Sequence, residues 1–204
     1  MAKLILVRHG KSEWNALGLW TGWTDINLTE EGRAEARRAG EAIRDIELHG
    51  AYVSPLIRAQ QTLQEIQDTL ELKDLPVRQH QELTERHYGI YTGKNKWELK
   101  ESLGDDEFLR IRRGWDVPIP EGESLRQVYD RAIPFYQENI LPELKDGKNI
   151  LAVGHGNTFR ALMKYLEEVD DDKIHEVEIE TGEIVCYDID TEGKVVTKER
   201  RARS

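Results

Sequence analysis

Short apolar runs alternate along the chain with segments whose apolar residues follow a helical spacing. Leu4–Val7, Ala51–Val53 and Ile150–Val153 are runs of the kind found in buried strands. Apolar positions three or four residues apart occur in segments that contain Ala36–Ile43, residues 56–70, Val128–Phe135 and Phe159–Leu166. This alternation predicts an α/β fold, a three-layer sandwich in which a mostly parallel central sheet carries helices on both faces.

Polar residues and a proline indicate where several of these elements begin or end. Thr29, followed by two glutamates, is a typical N-cap with an acidic first turn. Ser124 and Gln127 form the pattern of a capping box. Pro134 lies inside the helix that this box opens, so we expect a kink or break there. Residues 184–198 have the pattern of a closing hairpin.

Residues from about 82 to 122 fit the alternation least well. They combine charged and aromatic side chains with few strand signals, and we interpret them as a cap inserted over the sheet. No internal repeat, low-complexity tract or Pro/Gly-rich linker divides the chain. Residues 1–204 are therefore predicted to form a single domain.

The charge balance narrows the classes of partner. The chain has 39 acidic and 29 basic residues, a formal net charge of −10, and such a surface repels nucleic acid and acidic membranes at long range. No apolar run approaches the ~20 residues that span a bilayer, and the single cysteine, Cys186, excludes an internal disulfide. We expect a cytoplasmic protein without nucleic-acid or membrane partners, either a monomer or a homo-oligomer. An anionic ligand would need a local cluster of positive charge.

Two histidines follow predicted strands in the same local context. His9, within Arg-His-Gly, comes after the first strand, and His155, within Gly-His-Gly-Asn, comes after the strand at 150–153. A single histidine in such a loop usually bonds a nearby carbonyl. Ligands of open parallel sheets, however, bind outside the carboxyl ends of the strands. The matched pair is therefore expected to meet across one pocket.

Two other kinds of site fit these residues less well. Gly10-Lys11-Ser12 has the form of the end of a nucleotide-binding P-loop, but that motif needs a glycine where the chain has Ile5. The histidines lack the spacing of common zinc sites, and Cys186 lies in a strand pattern. No metal site is predicted.

Several arginines lie at the ends of elements or in the cap, where they can reach a ligand. Arg8 precedes the first histidine, Arg58 begins a helix, and Arg112 and Arg113 form a pair. Arginine forks make two-point contacts with phosphate and carboxylate groups. Together with Arg86, these residues predict a pocket for a ligand with a second anionic group.

These motifs together resemble the histidine phosphatase superfamily over nearly the whole chain. Arg8-His9-Gly10 and His155-Gly156-Asn157 are similar to the two histidine motifs of that superfamily. Within it, the chain resembles the cofactor-dependent phosphoglycerate mutases. That resemblance depends on more specific motifs: Trp14-Asn15, Thr21-Gly22-Trp23, Glu85-Arg86-His87-Tyr88-Gly89, Gly93–Lys96 and Arg112-Arg113-Gly114.

The resemblance implies an isomerase of glycolysis and gluconeogenesis that interconverts 2-phosphoglycerate and 3-phosphoglycerate through a phosphohistidine. It also implies priming by 2,3-bisphosphoglycerate and no metal. His9 would accept the phosphoryl group, and Glu85 would give and take the proton of the substrate oxygen. Arg8, Arg58 and His155 would hold the transferred group. The other implied ligands of this small-molecule substrate are Asn15, Thr21, Gly22, Arg86, His87, Tyr88, Lys96, Arg112, Arg113, Gly156 and Asn157.

Direct transfer of a phosphoryl group between the two oxygens of glycerate has a poor geometry, and a covalent carrier replaces it by two in-line transfers. Such a carrier sets conditions on both histidines. The attacking nitrogen of His9 must be unprotonated, so its other nitrogen is expected to donate to a backbone carbonyl. His155 is expected to be protonated or to donate a hydrogen bond to the phosphoryl group. Two alternatives stay open: a phosphatase that uses the same intermediate on small phosphoesters, and a non-catalytic binding module of the same fold.

The sequence departs from the family pattern at three places. Lys11 stands where the family commonly has glutamate, which adds positive charge near the mouth of the site. The chain is shorter than many mutases before Pro118–Ser124. It ends at Ser204 without the longer tail of larger relatives, and the role of the basic end Lys198–Arg203 is left open.

Overall fold

One six-stranded sheet forms the centre of the protein. In a computed structural model, which describes residues 1–201, the strands are β1 (Ala2–Arg8), β2 (Gly50–Val53), β3 (Val77–Gln79), β4 (Ile150–Gly154), β5 (Ile184–Ile189) and β6 (Val195–Arg201). They are ordered β3-β2-β4-β1-β5-β6. The first four are parallel to one another, whereas β5 and β6 are antiparallel. The predicted mostly parallel sheet and its closing hairpin are confirmed.

Helices lie between these strands along the chain. The α-helices are α1 (Glu13–Ala16), α2 (Glu30–Ala42), α3 (Ile57–Leu70), α4 (Lys96–Leu103), α5 (Asp105–Arg113), α6 (Leu125–Phe135), α7 (Leu141–Lys145) and α8 (Gly156–Leu166). Short 3-10 turns cover Gln81–Leu83, Gly89–Tyr91 and Ile174–Glu176. No helix within residues 1–201 is both long enough and apolar enough to cross a bilayer.

Alternate residues of each inner strand face two different hydrophobic cores. Leu4 and Leu6 pack in a cluster that also contains apolar residues of α6, α7 and α8. Ile5 and Val7 pack in a second cluster with residues of α2 and α3. A strand that is buried on both faces has a continuous apolar sequence instead of an alternating one. The predicted three layers are thereby confirmed.

The predicted helix signals agree with the structure. The Thr29 side chain accepts from the backbone N–H of Gly32, and Ser124 and Gln127 form a reciprocal capping box. After Pro134 the α-helical geometry continues for one residue and then gives way to a π-helix over Tyr136–Ile140. Proline has no N–H for its helical hydrogen bond, which accounts for the break in regular geometry.

The cap region is more regular than the sequence indicates. It contains α4 and α5, and α5 begins with three acidic residues and ends with three arginines near its last turn, which suits the helix dipole. Phe108 and Ile111 of α5 pack with Trp20 and Val117 in a separate hydrophobic cluster. That residues 1–204 form a single domain stays a prediction, and residues 202–203 of the basic end lie outside the described part.

Candidate active site

The two strand-end histidines lie side by side. β1 and β4 are adjacent and parallel, with Arg8 paired to Gly154, so the residues that follow them leave the sheet at the same edge. The backbone N–H of His9 donates to the carbonyl of Gly154 at 2.9 Å. The ring centroids of His9 and His155 are 5.0 Å apart, and both side chains are buried. The predicted meeting of these residues is confirmed.

The hydrogen bonding of His9 defines which ring nitrogen is free. Its Nδ1 lies 2.7 Å from the carbonyl oxygen of Gly10, and because a carbonyl only accepts, Nδ1 carries the proton. The Nε2 lone pair is then available for attack. Burial, followed by the charges of Arg58 and Arg8, lowers the pKa of His9 well below its ordinary value. The ring is therefore neutral at neutral pH, and the expected bond to a backbone carbonyl is present.

A close backbone contact fixes the loop that carries His9. A Cβ added to Gly10 would lie 2.1 Å from the carbonyl oxygen of Gly32, and one added to Gly32 would lie 2.1 Å from that of Lys11. The Gly10 N–H also donates to the hydroxyl of Thr62 in α3. Only glycine permits this approach, so α2 and α3 hold the loop in place.

His155 is held by a serine at the end of β2. Its Nε2 lies 2.8 Å from Ser54 Oγ, which also accepts from the N–H of Leu56. This geometry fits a neutral ring in which Ser54 donates to Nε2 and Nδ1 carries the proton. Burial, then the charges of Arg58 and of the His9 ring, lowers the pKa of His155 well below its ordinary value. The free protein thus favours the neutral form of this ring over the protonated form.

Two arginines flank the histidines, Arg58 buried and Arg8 half-buried. Arg8 Nη1 donates to the carbonyl of Ile179 at 2.7 Å, and Arg58 donates to the carbonyls of Gly22 and Thr24 at 2.8 and 3.0 Å. Burial lowers the pKa of Arg58 to about 10, which leaves the guanidinium charged at neutral pH. Backbone oxygens orient each guanidinium, and within residues 1–201 neither one makes an ion pair with a carboxylate.

Several buried hydrogen-bonding atoms near the histidines lack a partner among the described residues. They include Nε of Arg8, Nε of Arg58 and Nδ1 of His155. The indole N–H of Trp20 and the hydroxyl of Thr21 are in the same condition. Buried polar groups nearly always make hydrogen bonds. Unpartnered donors beside cationic side chains are suited to the oxygens of an anion.

A pocket adjoins this centre and has a strong excess of positive charge. It is lined by Arg8, Trp20, Glu85, Tyr88, Lys96, Arg112, Arg113, Gly156, Asn157, Arg160, Glu178 and Ile179. Five of these residues are lysine or arginine and two are glutamate, although the whole chain has a net charge of −10. The local cluster of positive charge that an anionic ligand requires is present.

Hydrogen bonds hold the carboxylate of Glu85 at the pocket wall. Its Oε1 accepts from the backbone N–H of Arg86 at 2.8 Å and from the backbone and side-chain N–H groups of Asn157 at 3.1 Å. The same Asn157 amide donates to the hydroxyl of Tyr88 at 2.7 Å. The carbonyl of Glu85 accepts from the indole of Trp23. A buried carboxylate in this setting faces the ligand pocket in a fixed orientation.

Lys96 adds a titratable cation to the pocket. Its burial lowers its pKa, and the charges of Arg112 and Arg8 lower it further, to about 8. Its ammonium lies 6.0 Å from the centre of the Trp20 ring. The charge of this group therefore changes within a pH range that enzymes commonly tolerate.

Comparison with known sequences identifies the family. The histidine phosphatase superfamily (branch 1) matches residues 4–200. The chain belongs to this superfamily. It is 39% identical to 2,3-bisphosphoglycerate-dependent phosphoglycerate mutase 2 of Lactiplantibacillus plantarum, over 98% of this chain and 99% of that protein. It is 43% identical to the 2,3-bisphosphoglycerate-dependent phosphoglycerate mutase of Bradyrhizobium diazoefficiens, over 96% and 95%. The resemblance to the mutases is confirmed.

Solved structures share the fold of this histidine phosphatase. YhfR from Bacillus stearothermophilus has a TM-score of 0.83 and 26% identity, over 96% of this chain and 94% of that one. Phosphoserine phosphatase from Entamoeba histolytica, solved in complex with 3-phosphoglyceric acid, has a TM-score of 0.79 and 28% identity, over 99% and 98%. A phosphatase therefore shares the fold of this chain.

Some of the predicted ligands of this histidine phosphatase do not face the pocket. Arg86 is fully buried, and its guanidinium donates to the carbonyls of Glu123, Ile111 and Val117. These bonds hold the cap together, and the place of Arg86 among the ligands stays a prediction. His87 packs edge-on against Trp23 with ring centroids 4.8 Å apart.

Three other predicted ligands lie around the histidines and make contacts within the protein. Asn15 closes the capping box of α1 by accepting from the N–H of Ser12. The carbonyl of Gly22 accepts from Arg58, and Thr21 is buried beside it. These contacts order the loop after β1, which borders the site.

Four pocket residues escaped the sequence analysis: Trp20, Arg160, Glu178 and Ile179. Arg160 is buried in α8, where it donates to the side-chain oxygen of Asn157 at 3.0 Å and to three backbone carbonyls. An arginine among the apolar residues of a helix, three positions after a motif residue, was a usable signal. Trp20 and Glu178 also line the pocket, and no local pattern distinguishes them from other residues of their type.

Metal ligands are not grouped in this histidine phosphatase. Within residues 1–201, no cluster of three or more histidine, cysteine, aspartate or glutamate side chains has the arrangement to hold a metal ion. Cys186 is buried in β5, and burial raises the pKa of its thiol to about 11. Its thiol is therefore protonated at neutral pH and packs in the core.

Proposed function

We propose that the protein interconverts 2-phosphoglycerate and 3-phosphoglycerate through a phosphohistidine formed on His9. The observation that carries this proposal is the set of unpartnered donors of Arg8, Arg58 and His155 around the neutral His9 ring. A phosphoryl group would supply the acceptors that these donors lack. The near-full-length similarity to named phosphoglycerate mutases supports the same reaction.

The donor set also fits the priming cofactor of those relatives. When bound, 2,3-bisphosphoglycerate supplies the phosphoryl group that primes His9. Two anionic ends require two groups of cations, and the pocket offers Arg8 beside the histidine and Lys96, Arg112 and Arg113 farther along its wall. The residues present therefore suit this cofactor and the substrate alike.

The proton and the phosphoryl group would move between separate side chains. As Nε2 of His9 bonds to phosphorus, the bond from phosphorus to the ester oxygen breaks and Glu85 gives a proton to that oxygen. In the return step, Glu85 takes the proton of the acceptor hydroxyl, the new phosphorus–oxygen bond forms and the phosphorus–nitrogen bond breaks. Arg8, Arg58 and the Nδ1–H of His155 would stabilise the phosphoryl oxygens throughout.

A phosphatase that uses the same phosphohistidine is the second candidate. It is favoured by the fold that this chain shares with the phosphoserine phosphatase from Entamoeba histolytica. The two reactions differ only in the acceptor, which is either a substrate hydroxyl or water. Arg112, Arg113 and Lys96 favour the mutase, because they offer a second anionic site that would hold the glycerate while its phosphoryl group is on the histidine.

The deciding experiment follows the product of 3-phosphoglycerate with trace 2,3-bisphosphoglycerate. We expect 2-phosphoglycerate as the main product and acid-labile phosphate on the protein, both lost in His9→Ala. The control is His49→Ala, an exposed histidine outside the site. Free phosphate as the main product would contradict the mutase, and an unlabelled but folded wild-type protein would support a non-catalytic binding module. We also propose that the protein works in the cytoplasm.

A further inference from the structure

One carboxylate in the cationic pocket already forms an ion pair with an arginine that an anionic ligand would use. The side chain of Glu178 makes an ion pair with Nη2 of Arg113. Glu178 is 51% exposed, whereas Arg113 is 14% exposed and lies at the pocket wall. The carboxylate therefore approaches Arg113 from the open side, the side from which a ligand must also arrive.

The backbone of this segment is fixed, so the carboxylate is tethered beside Arg113. The carbonyl of Glu178 accepts from Arg200 at 2.8 Å, and the next carbonyl, that of Ile179, accepts from Arg8 at 2.7 Å. The N–H of Gly182 donates to the backbone carbonyl of Arg8 at 3.1 Å. A tethered group competes at a high effective concentration.

The charges around Glu178 keep it ionised. Burial alone would raise the pKa of this carboxyl, but the hydrogen bond and charge of Arg113, with the charges of Arg112 and Arg8, lower it below its ordinary value. The side chain consequently presents a full negative charge to the same arginines that are available to a ligand. It occupies the place of a ligand carboxylate or phosphate in the free protein.

We infer that Glu178 is a specificity-determining residue, an internal carboxylate that competes with the second anionic group of the ligand for Arg113. The ligand must displace it, so small anions and weakly charged esters gain less from the pocket than a ligand that carries two anionic groups. This inference rests on the proposed function only for the identity of the anion as a phosphoglycerate. If Glu178 instead positioned Arg113 for the ligand, removing the charge of Glu178 would weaken binding in the test below.

The test measures dissociation constants by calorimetry for 3-phosphoglycerate and for pyrophosphate, a probe with two anionic groups whose binding does not require mutase chemistry. Glu178→Gln keeps the size of the side chain and removes its charge. Because ion pairs of this exposure contribute modestly, we expect roughly a three- to tenfold lower dissociation constant for both ligands. Glu176→Gln is the control, since Glu176 lies two residues away, its side chain is 69% exposed and its carboxylate lies 3.8 Å from Nε2 of His175.

A second background tests whether the effect passes through Arg113. In Arg113→Met, binding is expected to be weaker overall, and adding Glu178→Gln is expected to change it by less than about twofold, since the competing contact is already absent. Weaker or unchanged binding of pyrophosphate in the single variant Glu178→Gln would overturn the inference. An equally large fall in the dissociation constant when Glu178→Gln is added to Arg113→Met would also overturn it.

The outcomes for the two ligands separate this inference from the proposed function. A wild-type protein that binds pyrophosphate but not 3-phosphoglycerate contradicts the proposed function, while the response of pyrophosphate binding to Glu178→Gln still decides the role of Glu178. Thermal unfolding of every variant shows whether a loss of binding reflects a loss of structure.

Discussion

Lys96 should set the alkaline limit of catalysis. Its pKa is lowered to about 8 by burial and by the charges of Arg112 and Arg8. At pH 9, one unit above this value, roughly one protein molecule in ten retains the ammonium. If the ammonium binds the substrate anion, kcat/KM should be about half its plateau at pH 8 and about a tenth of it at pH 9.

Among the other groups of the site the nearest is Arg160, whose pKa burial lowers to about 9, one unit above that of Lys96. Burial raises the pKa of Tyr88, and the pKa of Arg58 is about 10. The pKa values of His9 and His155 lie well below 6.5. The second ionisation of a phosphate ester is complete above a pH of about 7, since its pKa is about 6. A fall of kcat/KM near pH 8 therefore reports the deprotonation of Lys96.

The assay is the pH profile of kcat/KM for 3-phosphoglycerate in three proteins. The wild type should show the fall near pH 8. Lys96→Arg keeps a positive charge at this position throughout, so the fall of kcat/KM near pH 8 should disappear even where its absolute activity is lower. Lys94→Arg, at an exposed lysine nearby, should keep the wild-type fall. A wild-type profile that is flat to pH 9.5, or a fall at pH 8 that persists in Lys96→Arg, would refute the reasoning.

Three further outcomes are expected. Glu85→Gln should lower kcat for the mutase reaction by about 100- to 10,000-fold, because the proton relay is lost, and a fall of less than tenfold would exclude Glu85 as that relay. Gly10→Ala should lower the free energy of unfolding in urea by about 1–3 kcal/mol, because its Cβ would lie 2.1 Å from a carbonyl oxygen. Gly50→Ala, with its nearest contact at 3.6 Å, is the control, and equal losses in the two variants would contradict this reasoning. Saturation with 3-phosphoglycerate at about 100 times its dissociation constant should stabilise the fold by about 2.7 kcal/mol and raise Tm by roughly 5–10 °C, and an unchanged Tm would show that the ligand does not bind the native state.

The central layers could be predicted from the sequence because burial on both faces leaves a strong local pattern. A strand such as Leu4–Val7 is apolar at every position, and α3 has one apolar face. The edge strand β3 was missed because all three of its residues are exposed. The short helices α4 and α5 were missed because few of their residues reach a core.

The site was predictable only as far as backbone topology controls it. His9 and His155 meet because they follow adjacent parallel strands, and topology implies that directly. The direction of a cap side chain follows instead from long-range packing. Arg86 and Arg112 were therefore indistinguishable as motif residues, although one bonds backbone carbonyls and the other lines the pocket. Glu178 approaches Arg113 across 65 positions of sequence, and no local pattern records such a contact.

The burial of His9 and His155 has a consequence for the whole molecule in acid. Their folded-state pKa values lie well below 6.5, so below pH 6.5 the unfolded chain takes up protons that the folded chain refuses. Stability is therefore lost as pH falls below 6.5, by up to about 1.4 kcal/mol per pH unit for each histidine until its folded pKa is reached. Urea unfolding of His9→Gln at pH 7 and pH 5 should show a smaller loss than in the wild type. The neutrality that makes the ring a nucleophile thus lowers the acid tolerance of the fold.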